Sequence, residues 1–371
     1  MTRTIVAFGP FDPADQGFAA AAETVAAEIR YATTVAEMGL AQMPRRPDVL
    51  LLRLDTENLD DFTSALHTHP KLEGVPVLAI LPRLTQTAAI RASSLGADDF
   101  LALDDVPTLL PGKLAAATRE AAERPRPQQC RVLLGDASAM HGRVLSRLLV
   151  QAGFDVKLVA SADDARAELG EPRGYGLIIL DLGLPGCDPR TFMVEVREKI
   201  GDATPPALAM IHAGVPAAQA LAASIGGFRH THDKRRPPDE LVFLAHEASI
   251  TDHAKLRASP RLLCAILVGF RREGGRWEYG LSHNLSLSGL YVRTIDPPPQ
   301  EAQVDLEFTP PGNEAPVRTR GQVMWRKDFS ARAVRASPTG MGLKLLDPDE
   351  ATQRAMALAA HELARQGPTG P

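Results

Sequence analysis

Apolar residues come in two different rhythms along this chain. Up to about residue 250, short unbroken apolar runs alternate with alanine-rich stretches of helical spacing. Unbroken runs of strand length are the mark of strands buried on both faces, and their alternation with helices predicts a parallel sheet flanked by helices. The pattern occurs twice. Pro47-Asp-Val-Leu-Leu-Leu-Arg53-Leu, Val75 to Leu81 and Gly96 to Leu103 are strands of the first copy. Arg131-Val-Leu-Leu-Gly135-Asp136, Gly174 to Asp181 and Ala207 to His212 are those of the second. Beyond Leu262 the rhythm changes to strands separated by turns. These are Leu262 to Phe270, Trp277 to His283, Leu287 to Thr294, Val304 to Phe308, Val317 to Lys327 and Met341 to Leu346, with a glycine-tipped hairpin at Arg271 to Arg276. Six short strands predict a small closed antiparallel β-barrel. Asp347-Pro-Asp349 then starts a helix whose Ala355, Met356, Leu358, Ala359 and Leu363 fall at helical spacing, suited to covering a barrel mouth.

The polar breaks between these regimes set the expected domains at 1–122, 129–250 and 253–366. Glu123-Arg-Pro-Arg-Pro-Gln-Gln129 is a proline-rich linker, and residues 245–256 read as a helix end leading into an arginine-rich segment. A length of 371 residues fits two or three domains. No apolar run has the length of a membrane helix, and the first residues lack the apolar core and cleavage site of a signal peptide. Cys130, Cys187 and Cys264 are few, odd in number and far apart, which fits neither a metal box nor a disulfide framework. A cytoplasmic, reduced setting is the expectation. Charge is graded: residues 1–125 hold 11 basic against 17 acidic residues, and 253–371 hold 16 against 12. The last third is the part suited to an anionic ligand, yet too weakly basic to argue for DNA binding.

Two short segments in that last third carry chemistry. Arg257-Ala-Ser-Pro-Arg261 places two arginines four apart, and Asn284-Leu-Ser286-Leu-Ser-Gly289 follows. Arginine reads the O6/N7 edge of guanine with two hydrogen bonds and stacks its flat guanidinium on a base. Asn284 and Ser286, two apart, share a strand face and offer an amide and a hydroxyl to phosphate, sugar or base. Gly289 allows close backbone approach or a positive φ. Pro260 disfavours a helix through the arginine pair, so an extended or turned arm is expected.

At these residues, and again at Gly321-Gln-Val323-Met-Trp325 and Gly340-Met-Gly342-Leu-Lys344, the chain resembles the PilZ domain over residues 253–366. Members with this motif pair bind the bacterial second messenger cyclic di-GMP. The resemblance implies that Arg257 and Arg261 lie on an N-terminal arm ordered by the ligand and grip guanine and phosphate. It also implies that Asn284, Ser286 and Gly289 line the barrel surface. Arg293, Arg326 and Lys344 are further basic candidates, whose plainer reading is exposed strand charge. Trp325 reads as core rather than as a stacking platform.

The second α/β copy resembles the receiver domain of response regulators, a doubly wound, flavodoxin-like fold. Tyr175 to Gly186 looks like its phosphoacceptor strand, ending at Asp181. Aspartyl phosphorylation needs a carboxylate nucleophile, Mg²⁺ held by further acids, and a hydroxyl and a lysine for the phosphoryl oxygens. Asp181 and Asp136 are present, so they are the candidate Mg²⁺ ligands and Asp181 the candidate phosphoacceptor. Gly135 replaces the second metal acid, His212 stands at the hydroxyl position, and Lys234 is the candidate lysine in an uncertain register. Asp181 therefore reads either as a weak phosphoacceptor or as a leftover carboxylate in a docking domain. In the first copy nothing of this chemistry remains. Arg53 takes the nucleophile's place, Leu81 the hydroxyl's, Leu103 the lysine's, and Phe8-Gly9-Pro10 the acidic pair's. Asp12 and Asp55 read as solvated loop acids, and the copy is a pseudo-receiver.

These readings combine into a non-catalytic bacterial signalling protein: two receiver-like domains followed by a PilZ domain that binds cyclic di-GMP. The signal would be relayed by a changed domain arrangement, with the barrel docking on the second receiver, or by an exposed surface for a protein partner. The resemblance implies settings such as motility, surface polysaccharide production or development. No P-loop, metal box or nucleophile–base pair suggests an enzyme, and neither a GGDEF nor an EAL run is present to make or degrade the ligand. The alternatives are a phosphorelay regulator switched at Asp181 with PilZ as its output, and a receiver-based scaffold that binds no ligand.

Overall fold

The computed structural model describes residues 2–72, 74–119, 130–170, 174–201, 204–212, 222–223, 226–228, 230–235, 238–249, 261–329 and 338–365. Its first sheet holds β1 (Arg3–Phe8), β2 (Ala27–Ala32), β3 (Val49–Arg53), β4 (Val77–Leu81) and β5 (Asp99–Ala102), all parallel and in the order 2-1-3-4-5. Helices α1 (Gln16–Glu23), α2 (Leu59–Thr68), α3 (Gln86–Ser94) and α4 (Val106–Ala117) accompany it. The unbroken runs fall where the sheet is covered on both sides: every residue of β4 and the first four of β3 are buried. β2, at the sheet edge, alternates Ala-Glu-Ile-Arg-Tyr-Ala and stays half exposed. Between β2 and β3 the chain runs through turns, and Lys71 Nζ closes this stretch by donating to the carbonyls of Leu40 and Met43, each at 2.7 Å.

The second sheet repeats the plan with β6 (Arg131–Gly135), β7 (Asp155–Val159), β8 (Leu177–Asp181), β9 (Ala207–Ile211) and β10 (His230–Asp233) in the order 7-6-8-9-10. Its helices include α5 (Ala139–Gln151), α6 (Ala162–Glu168), α7 (Phe192–Ile200) and α8 (Pro238–Ser249). Ser138 and Ser161 start α5 and α6 as N-caps, accepting from the amides of His141 and Asp164. Both sheets have the order of the doubly wound flavodoxin-like fold, in which sites form beyond the carboxyl ends of the strands at the switch point.

The third part is a closed antiparallel barrel of β12 (Leu267–Arg272), β13 (Glu278–Ser286), β14 (Gly289–Arg293), β15 (Gln303–Phe308), β16 (Val317–Lys327) and β17 (Gly340–Leu346). Strands run around it as 13-12-15-16-17-14, and pairing of β13 with β14 closes it. The apolar run from Leu262 to Phe270 is two strands rather than one. β11 (Leu262–Leu263) pairs with the end of β13, the chain breaks over 264–266, and β12 pairs with the beginning of β13. The break turns the strand so that it follows the barrel's curve. Leu285, Leu290, Leu306, Val323 and Leu343 fill the interior, and α9 (Glu350–Arg365) covers it with Met356, Ala359 and Leu363. Leu358, also on α9, is instead exposed. The first sheet and the barrel belong to one compact unit, and the second sheet forms another. Among the described residues, no helix is long and apolar enough to cross a membrane.

Candidate functional site

β13 and β14 form a tight hairpin with only Leu287 and Ser288 between Ser286 and Gly289, which pair directly. Buried Ser286 Oγ donates to the Gly289 carbonyl at 3.1 Å and holds the turn. Glycine is needed at 289 for close approach, not for a positive φ. A Cβ there would lie 2.0 Å from the Leu343 carbonyl oxygen of the neighbouring β17. Leu285 points into the barrel core, so Asn284 and Ser286 on either side of it face outward. Both are largely covered, at 5% and 9% exposure.

The pairing continues these two positions into rows across the outer face. One row runs Ser286, Gly289, Lys344, Gln322, and the other runs Asn284, Tyr291, Gly342, Trp325. In the second row the Trp325 indole stacks on Tyr291, centroids 4.9 Å apart and rings 21° from parallel. Gly342 makes the slot, because a Cβ would lie 2.3 Å from Trp325 Nε1. Trp325 is 40% exposed, so it is a surface ring and not core. The sequence signal for this was Gly342 itself, but seeing it requires the register of β16 against β17. Lys344 is exposed in the first row. Arg326 is drawn to Asp328, and Arg293 turns to the first α/β domain.

β11 brings Arg261 to this face. Leu262 pairs with Leu285 and Leu263 with Asn284, so the same register carried one residue back sets half-buried Arg261 opposite Ser286. Arg257 lies outside the described residues. Arg261, Asn284, Ser286 and Gly289 thus converge on one end of β13. A guanidinium, an amide, an exposed ammonium at Lys344 and an exposed indole in adjoining rows suit an anionic, flat-ringed ligand.

Deeper in the same wall, burial first, then the charges of Arg293 and Lys327, hold the His283 imidazole down to about 3. Burial likewise lowers Lys327, to about 8, and raises the Tyr291 hydroxyl, whose proton goes to the Pro338 carbonyl at 2.6 Å.

In the second α/β domain, Asp136 follows β6, Asp181 ends β8 and Lys234 follows β10, all at the carboxyl ends of the strands. Lys234 Nζ donates to Asp136 Oδ1 at 2.8 Å and to Asp181 Oδ2 at 2.6 Å, which settles its register. His141 Nδ1 lies 2.6 Å from Asp136 Oδ2. Burial alone would raise the Asp181 carboxyl; the Lys234 ammonium and the amides of Gly183 and Ala137 outweigh it and hold it below its usual range. His212 borders this site: a Cβ at Gly183 would sit 3.1 Å from its Nε2 and 3.3 Å from Asp181 Oδ1. Gly135 is likewise filled in by neighbours, since a Cβ would meet Leu180 at 2.6 Å. A further carboxylate there has no room without a shift. Among the described residues, Asp136 and Asp181 are the two carboxylates at this place that could reach a Mg²⁺, an ion that would need waters to complete its shell.

The first domain has a different structure at the matching place. Arg53 ends β3 and binds Asp55 through two parallel hydrogen bonds, Nε to Oδ1 at 2.9 Å and a terminal nitrogen to Oδ2 at 2.6 Å. Arg53 also lies over the Phe11 ring at 5.8 Å. Asp55 is therefore an ion-pair partner rather than a free loop acid, and the Arg53 hydrogen bond holds its carboxyl low against the effect of burial.

Residues 255–359 match the PilZ domain. The match covers all the barrel strands and the greater part of α9. None of the curated proteins matches the chain. Among solved structures, the signal receiver domain of a putative Luxo repressor protein from Vibrio parahaemolyticus is 21% identical over 35% of this chain and 95% of its own, with a TM-score of 0.31. A putative response regulator from Chloroflexus aurantiacus is 24% identical over 33% of this chain and 98% of its own, with a TM-score of 0.30. A putative two-component system response regulator/GGDEF domain protein is 16% identical over 69% of this chain and all of its own, at 0.33. The order of both sheets, with Asp136, Asp181 and Lys234 gathered at the strand ends of one, carries the receiver likeness independently of these scores.

Proposed function

We propose that this chain is a non-catalytic signalling protein whose PilZ domain binds cyclic di-GMP at the end of β13. The observation that carries the reading is the register of β11, which sets Arg261 beside Ser286 and Gly289. Arg261, with Arg257 on the same arm, grips a guanine edge and a phosphate. Asn284 and Ser286 meet sugar and phosphate, and Gly289 lets the ligand's backbone lie close. Trp325 offers its exposed face to a base. Ordering of the arm on ligand binding relays the signal, through a changed domain arrangement or a surface for a protein partner. Equilibrium dialysis of labelled cyclic di-GMP against the intact protein and Asn284→Ala tests the site. Retention by the wild type, weakened about tenfold or more in the variant, is expected; equal retention would reject this face.

A second reading is supported by the Lys234 contacts to both Asp136 and Asp181. In it the Asp181 carboxylate would take a phosphoryl group from a small donor, whose bond to phosphorus breaks and whose leaving group departs; Asp136 and Asp181 would hold a Mg²⁺ to offset phosphoryl charge, Lys234 would hold a phosphoryl oxygen, and the PilZ domain would be the output. Exposure to a small phosphoryl donor with Mg²⁺ should then mark wild type and not Asp181→Ala. Without a mark on either, Asp181 is a structural carboxylate.

A further inference from the structure

The degenerate first domain keeps a buried charge that its own fold does not fully satisfy. Asp99, the first residue of β5, is 3% exposed. Its Oδ1 accepts from the Phe100 amide at 2.7 Å, and its Oδ2 accepts from Lys113 Nζ of α4 at 2.6 Å. The other two donors come from the barrel, directly beyond β14: the Ile295 amide at 2.7 Å and Thr294 Oγ1 at 3.0 Å. Lys113, Thr294 and Ile295 are each 2% exposed or less. A buried carboxylate is tolerable only when paired and fully hydrogen-bonded. Half of this one's donors belong to the barrel.

Neighbouring contacts repeat the pattern. Arg293, the last residue of β14, donates to Ser93 Oγ at 2.7 Å and to the Ala97 carbonyl at 3.4 Å. Ile295 is a member of the first domain's core on one side of its sheet, and Leu281 of β13 a member of the core on the other, with Leu267 and Tyr279 packed beside it. The two cores therefore run into the barrel on both faces of the sheet, while the end of β3 holds the Arg53–Asp55 pair. β14 carries Gly289 at its other end.

We infer that the first domain is the barrel's fixed partner, folding and unfolding with it as one cooperative unit that Asp99 locks. Its function is to hold β14 in place rather than to receive a phosphoryl signal. The inference stands whether or not the barrel binds cyclic di-GMP.

The chain's two tryptophans, Trp277 and Trp325, both lie in the barrel, so fluorescence excited selectively at tryptophan reports the barrel's unfolding. The test is Asp99→Ala in the full chain, followed by tryptophan fluorescence on heating. A fall in the barrel midpoint of roughly 6 °C or more is expected, because the change leaves Lys113 buried and two barrel donors unmet. Thr294→Val, a milder change from the barrel side, should in turn speed hydrogen exchange at Phe100 and Leu101 of β5, and it serves alone if Asp99→Ala does not fold. An Asp99→Ala barrel midpoint equal to wild type, or wild-type exchange of β5 in Thr294→Val, would overturn the inference.

Discussion

At the residue scale, the candidate ligand face depends on side chains that have few substitutes. If Arg261 reads a planar, two-point target, Arg261→Lys should lose nearly as much cyclic di-GMP affinity as Arg261→Ala, about tenfold or more. Competition binding with both variants checks this, and a lysine variant at wild-type affinity would mean that charge alone matters there. Gly289→Ala should destabilise the barrel by about 1–3 kcal/mol, since its Cβ would press on the β17 backbone 2.0 Å away. Denaturant unfolding followed by tryptophan fluorescence measures that loss. The motif residues were legible in the sequence because each is a chemical type at a fixed offset. Trp325 was not: its exposure follows from Gly342 one strand away, and a linear reading gives a tryptophan between apolar neighbours to the core. Asp99 was missed for the same reason, and Arg293 was named only as a basic candidate or exposed strand charge, as the partners of both lie nearly 200 residues off.

At the scale of elements, the strands and helices followed from their apolar rhythm, while breaks and pairings depended on geometry the rhythm does not contain. The runs in β3, β4 and β8 are buried on both faces and were plain. The division of Leu262 to Phe270 into β11 and β12 was hidden, because both halves are apolar and only barrel curvature separates them. It is also the feature that brings Arg261 to Ser286. The wall of β13 gives a pH prediction. His283 is kept neutral to about pH 3 in the fold but takes a proton near 6.5 when unfolded. The unfolded chain therefore binds more protons between these values, and barrel stability should fall as pH drops from about 6.5 toward 3. Tryptophan-monitored midpoints across this range should show the slope, and His283→Leu should flatten it. An unchanged slope in that variant would assign it to other groups.

For the whole molecule, the two α/β sheets share one strand order but differ at their strand ends. One holds the Arg53–Asp55 pair there and shares its cores with the barrel. The other keeps Asp136, Asp181 and Lys234 together in a separate unit. The three-part organisation was legible from patterning, but which α/β domain shares cores with the barrel was not, since chain order suggested the second. If cyclic di-GMP binds the folded barrel, ligand at 100 times Kd should add about 2.7 kcal/mol to the unit that contains it. That gain should raise the tryptophan-monitored midpoint, and small-angle scattering with and without ligand then tests the relay. Superimposable profiles would leave a surface for a partner as the means of output.

Calorimetric titration of cyclic di-GMP into the full chain, with Arg257→Ala and Arg261→Ala beside it, measures ligand binding at this face. Saturable binding at micromolar concentration or tighter, lost in both variants, is expected. No heat and no binding in the wild type, or binding that survives both substitutions, would contradict the proposed site.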